Sequence, residues 1–190
     1  RWHLQAMAVL RLVGGQRVPW VVRELVMVPV RSEEVHFSTD AGVVRGRIYL
    51  PQGEPDAPGL VILHGVHYLG IDEPRLMSFA RSMASCGLRV LTPELPGIKD
   101  YHVGVGSVRV IGDSAKWFAG QTGGPVGVMG LSFSGGLALV AASEPEYRKN
   151  FKFVFAVGSD ESMDQGANYY RTGQEMRPDG TMERLPPHEY

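Results

Sequence analysis

The side chains best placed for chemistry lie in one short stretch. Residues 126–136 read VGVMGLSFSGG: an apolar run through Val126 and Val128, then Gly130, Ser132, and a patch of Ser134, Gly135 and Gly136. A serine at the point where a buried strand turns sharply into a helix has a strained backbone and an exposed hydroxyl, the position of a nucleophile. Small residues around it are what the turn requires, because strand and helix pass very close there. The N–H of Phe133 opens the following helix and points into the same space, where the helix dipole favours an anion. Two other readings stand beside this one. Ser132 is a structural serine in a tight turn, or the frame shifts by two residues and Ser134 carries the reactive hydroxyl.

Other reactive side chains offer less. His64 and His67 have the spacing of a metal pair, yet no carboxylate sits at a fixed distance from them, and the loop-shaping reading is preferred. Gly104 and Gly106 lack the third glycine of a dinucleotide loop. Cys86 is the only cysteine, which excludes an intramolecular disulfide and a cysteine-based metal site. In MASCGL it reads as a small buried hydrophobe. Trp2, Trp20 and Trp117 are scattered and read as packing residues.

The elements that must position Ser132 follow from apolar periodicity. GLVILHG (59–65), LRVLTP (88–93), VGVMG (126–130) and FKFVFAVG (151–158) are continuous apolar runs, as expected of strands buried on both faces. Helical patterns separate them: Leu76 to Gly87, Val108 to Gly120, and LALVAA after the serine. Strands alternating with helices of this length predict a mostly parallel sheet with helices on both faces. EEVHFST (33–39) and VVRGRIYL (43–50) alternate apolar and polar residues across Asp40-Ala41-Gly42, which predicts a leading antiparallel hairpin. The fold class is α/β. Residues 32–160 form its core, residues 1–31 a helical extension, and residues 161–190, with no Val or Ile and several Gly and Pro, a loop-rich tail or the start of a cap.

With 190 residues the chain fits one domain, and 19 basic against 20 acidic residues imply no bulk attraction to nucleic acid. The charge is uneven. Residues 1–31 hold five arginines and one acid, whereas residues 158–190 hold seven acids and three arginines. Two solvated surfaces are the preferred reading of this split; the alternative is that the apolar, arginine-rich start contacts a membrane surface or a protein. No run reaches the ~20 apolar residues of a membrane span. The first residue is Arg1 and not Met, so a segment removed upstream is an expectation.

GLSFSGG resembles the G-x-S-x-G nucleophile elbow of the α/β-hydrolase family, with Ser134 in place of its second glycine. GLVILHG followed by VHYLG resembles the family's His-Gly oxyanion loop, and LTPELPG (91–97) its pocket-lining strand end. The resemblance covers roughly residues 33–160 and extends to serine esterases, thioesterases and dienelactone hydrolases. It implies that Ser132 attacks a small-molecule acyl substrate, an ester or thioester, with the N–H groups of Phe133 and Val66 holding the oxyanion. No cofactor or metal is implied. In the family an acid follows the serine at the end of a later strand, and a histidine comes after the last strand. Asp160, just past FKFVFAVG, takes the acid's place, with Glu161 adjacent, and His188 is the only later histidine. Because no strand precedes His188, the resemblance implies that the family's last two strands, and the histidine beyond them, are missing from these 190 residues. The alternative is a non-catalytic member of the fold serving as a structural or interaction subunit.

Overall fold

The computed structural model describes residues 2–40, 42–100, 102, 104–159 and 163–185. After helices α1 (Trp2–Val13) and α2 (Trp20–Val26), strands β1 (Val30–Thr39) and β2 (Gly42–Pro51) form the expected hairpin. Then follow β3 (Gly59–Leu63), α3 (Pro74–Ser85), β4 (Arg89–Pro93), α4 (Pro96–Lys99), α5 (Val105–Thr122), β5 (Val126–Leu131), α6 (Phe133–Ser143) and β6 (Phe151–Val157). The sheet order is β1-β2-β4-β3-β5-β6; β4, β3, β5 and β6 run parallel, and the hairpin joins antiparallel through β2 and β4.

The continuous apolar runs are explained by cover on both faces. Along β3, Val61 and Leu63 turn towards α5 and α6, packing in one cluster with Ile111, Phe118 and Ala138. Leu60 and Ile62 turn the other way, towards Leu76, Ala80 and Ala84 of α3. Alternation along a strand sends neighbours to opposite faces, so both sets must be apolar. Outside α3 lies α1, where the Gln5 amide donates to Cys86 O at 2.8 Å and the Cys86 thiol donates back to Gln5 O. Cys86 therefore caps α3 beneath α1, and burial pushes its thiol pKa up. At the far edge, β6 leaves Phe153, Phe155 and Val157 exposed on one face.

Residues 161–190, expected to be a loop-rich tail or the start of a cap, hold regular elements in their described part. The described part forms helix α7 (Met163–Thr172) and a separate antiparallel pair, β7 (Gln174–Met176) with β8 (Met182–Arg184). The Gly and Pro residues punctuate this hairpin without abolishing it: Gly180 takes φ +84° and Arg177 N–H donates to Thr181 O at 2.8 Å. With only three residues per strand, the ladder forms without β-branched residues.

Candidate active site

Ser132 is the turn between β5 and α6. It has φ 56° and ψ −138°, the only positive φ at a non-glycine among the described residues. That conformation is strained for a residue with a Cβ, and it persists because the surroundings over-determine it. Ser132 N–H donates to Val157 O at 2.8 Å, while its carbonyl accepts from Gly135 N–H and from the Ser159 hydroxyl, both at 2.9 Å. The close approach is Gly130 against Gly135. A Cβ on Gly130 would sit 2.5 Å from Gly135 N, and one on Gly135 would meet the Ser159 hydroxyl, with Ala156 Cβ at 3.1 Å.

Ser134 has a different task. It is wholly buried, its hydroxyl accepting from Leu131 N–H at 3.0 Å and donating to Leu131 O at 2.7 Å. That bond explains how a serine stands at the second small position of the turn. No described residue hydrogen-bonds the half-buried Ser132 hydroxyl.

The loop after β3 arrives beside it. A Cβ on Gly65 would lie 3.4 Å from Ser132 Cβ, so this loop runs directly against the serine. The N–H groups of Val66 and Phe133 have no acceptor among the described residues. His64 holds the loop: its Nε2 accepts from Leu95 N–H at 2.9 Å, so Nδ1 carries the proton and donates to Gly65 O at 2.8 Å. Burial pushes the His64 pKa down and keeps the ring neutral. With both nitrogens engaged, the ring shapes the loop and has no lone pair for a metal. His67 Nδ1 accepts from Leu69 N–H at 3.2 Å, and its ring stacks on Tyr68.

The carboxylates that brace this loop escaped sequence reasoning. Gly70 takes φ +53° over Glu94, whose Oε1 is 2.7 Å from where a Cβ would be. Buried Glu94 pairs with Lys99 Nζ at 2.6 Å and accepts from Ile71 N–H at 3.3 Å. Asp72 is gripped by Arg45 and Arg47 of β2, each at 2.9 Å. Hydrogen bonding to Arg45, then to Arg47, holds the Asp72 carboxyl below the usual range in spite of partial burial. The available signal was Arg45 and Arg47 two apart on one strand face, but nothing local names their partners.

Next to Ser132 lies a pocket of about 470 Å³ lined by Gly65, Val66, Leu76, Phe79, Met129 and Leu131, among others, with Val13 of α1 at its rim. Glu94 and Leu95 of LTPELPG are not in its lining; they lie buried beneath the loop. Asp160, Glu161 and His188 lie outside the described residues.

No protein-family model matches the sequence, and no protein of curated function matches it. Solved structures do. The chain resembles the esterase of Pyrobaculum calidifontis with 23% identity and a TM-score of 0.56, over 81% of this chain and 50% of that one. Brefeldin A esterase, a bacterial homologue of human hormone-sensitive lipase, has 19% identity and a TM-score of 0.56 over 78% of this chain and 45% of that one. Dienelactone hydrolase from Anabaena variabilis has 21% identity and a TM-score of 0.58, over 68% of this chain and 64% of that one. The fold is that of the α/β hydrolases. The chain spans about half the length of the two esterases.

Proposed function

We propose that this chain carries the nucleophile and oxyanion half of a serine hydrolase acting on an ester or thioester. The observation that carries the reading is the strained Ser132 turn, with the Gly65–Val66 loop packed against it. A scaffold gains nothing from a Cβ in that conformation, where glycine would be unstrained. The solved esterases and dienelactone hydrolase with this fold agree with it.

The Ser132 hydroxyl adds to the acyl carbon and its proton passes to a base. The carbonyl oxygen takes up the negative charge and is met by the N–H groups of Phe133 and Val66, each such donor being worth about 10²–10³ in rate. The carbon–oxygen or carbon–sulfur bond then breaks, and the alcohol or thiol leaves with the proton. Water attacks the acyl-serine, releasing the acid and restoring Ser132. Asp160, three residues past β6 in the sequence, is the acid we assign by chain order to orient the base. The pocket beside Ser132, lined mostly by apolar side chains, receives the acyl chain.

The test is labelling with a fluorophosphonate probe followed by peptide mapping, on the chain and on its Ser132→Ala variant. Modification at Ser132 that vanishes in the variant is expected. A folded chain that takes up no probe, or takes it up elsewhere, overturns the reading.

A further inference from the structure

We propose that the outer face of α1 and α2 docks on an anionic lipid surface, bringing the Ser132 pocket to the bilayer. Helix α1 is apolar on two sides. Gln5 and Ala8 are buried, with Gln5 tied to Cys86 at the end of α3. Trp2, Leu10 and Val13 share a separate arc of about a quarter turn, and it faces solvent. Trp2 is 83% and Leu10 72% exposed; on α2, Trp20 is 76% and Leu25 65% exposed. This concentration of tryptophan and leucine in solvent is what an interfacial helix presents to the headgroup boundary.

Charge selects the occupant. Across residues 2–30, Glu24 is the only acid, against Arg11, Arg17 and Arg23. Arg17 and Arg23 are exposed and pair with no described carboxylate. Both line the groove that α1 and α2 form with α3, where Arg81 also lies, and each arginine near an anionic surface adds about fivefold to partitioning. The position of the face agrees. Val13 belongs both to the exposed arc and to the rim of the 470 Å³ pocket. An acyl chain leaving the bilayer along α1 would pass over apolar side chains into the pocket that Val66 and Leu131 share. Among the described residues no helix is long and apolar enough to cross a membrane, so the contact is along the surface.

Docking does not depend on Ser132 chemistry, so its test is separate from that of the hydrolase reading. The full chain and Ser132→Ala are sedimented with vesicles of equal parts phosphatidylglycerol and phosphatidylcholine, and with phosphatidylcholine alone. Tryptophan emission is followed in parallel. Trp117 is half-buried and stacked on Phe37 at 4.3 Å against the core, so a blue shift reports Trp2 and Trp20. Both proteins should bind the anionic vesicles equally and shift to the blue, and about 0.5 M salt should weaken binding sharply. A variant with Trp2, Leu10 and Trp20 changed to Ser should stay in the supernatant. A variant with Arg17 and Arg23 changed to Glu should lose more than about tenfold in anionic binding. All five positions are exposed, and circular dichroism confirms that the variants fold. No sedimentation at low salt overturns the proposal, as does equal binding to both lipids. A wild-type dimer that the triple variant converts to monomer, with no vesicle binding, would make the face a contact between copies.

Discussion

Replacing Ser132 by glycine should make the protein more stable while removing the hydroxyl proposed as its nucleophile. A residue with a Cβ at φ 56°, ψ −138° carries strain on the order of 1–3 kcal/mol. Glycine escapes that strain but gives the unfolded chain more freedom, which offsets roughly 0.5–1 kcal/mol. The balance favours Ser132→Gly by up to about 2.5 kcal/mol, or up to roughly 10 °C in Tm for a domain of this size. Ser132→Ala is the control. It removes the hydroxyl, which bonds no described residue, and keeps the Cβ and its strain, so it should stay within about 0.5 kcal/mol of wild type. The difference between the two variants isolates the Cβ. Thermal and urea unfolding measure it, and both variants should be silent to the fluorophosphonate probe. A glycine variant no more stable than the alanine variant would show that the turn is unstrained, removing the main physical reason for treating Ser132 as functional.

Three further outcomes follow from the same geometry. Ser134→Ala should lose about 1–3 kcal/mol in urea unfolding, because it strips the acceptor from Leu131 N–H in a buried turn; stability equal to wild type would show that bond to be dispensable. His64 has a folded pKa pushed below its ordinary 6.5, so its contribution is whole above 6.5 and is lost as pH falls from there towards the depressed value. His64→Gln should therefore be less stable than wild type at neutral pH and lose less on acidification, as followed by Tm against pH. Asp72→Asn should be less stable than wild type from neutrality down to the ordinary 3.8. Its deficit should close as pH drops through the lowered folded value, where wild-type Asp72 also becomes neutral; a deficit that persists in acid would assign the loss to packing.

What was legible in the sequence is what a local pattern can encode. GLVILHG reads as a two-faced strand because Val61 and Ile62 do sit on opposite faces, each beneath helices. The serine turn was legible because only small residues let Gly130 and Gly135 touch. Ser134 was ambiguous by type, and only its burial against Leu131 separates it from Ser132. The brace under the Gly65–Val66 loop was illegible for another reason. Arg45, Asp72 and Glu94 lie far apart in the chain, and they meet only because β2 pairs antiparallel with β4, where Glu94 N–H donates to Arg45 O at 2.8 Å. Strand register is not written in the composition of either strand. The small hairpin of β7 and β8 was missed because Gly and Pro mark a hairpin turn and a loop alike.

The bonds that hold Ser132 also show where its geometry is vulnerable. Two of the three reach β6 or the residues just past it: Val157 O accepts from Ser132 N–H, and the Ser159 hydroxyl donates to Ser132 O. Ala156 closes the space beside Gly135. Yet β6 is the edge of the described sheet, paired on one side only, with Phe153 and Phe155 exposed. An edge strand frays more readily than a central one, because half its ladder is missing. The strained φ of Ser132 therefore depends on an edge strand of the described sheet, whereas the loop facing it rests on buried Glu94 and His64. Whatever orders β6 holds the Ser132 turn in its positive φ, and whatever loosens β6 lets the turn relax and moves the hydroxyl away from the Gly65–Val66 loop.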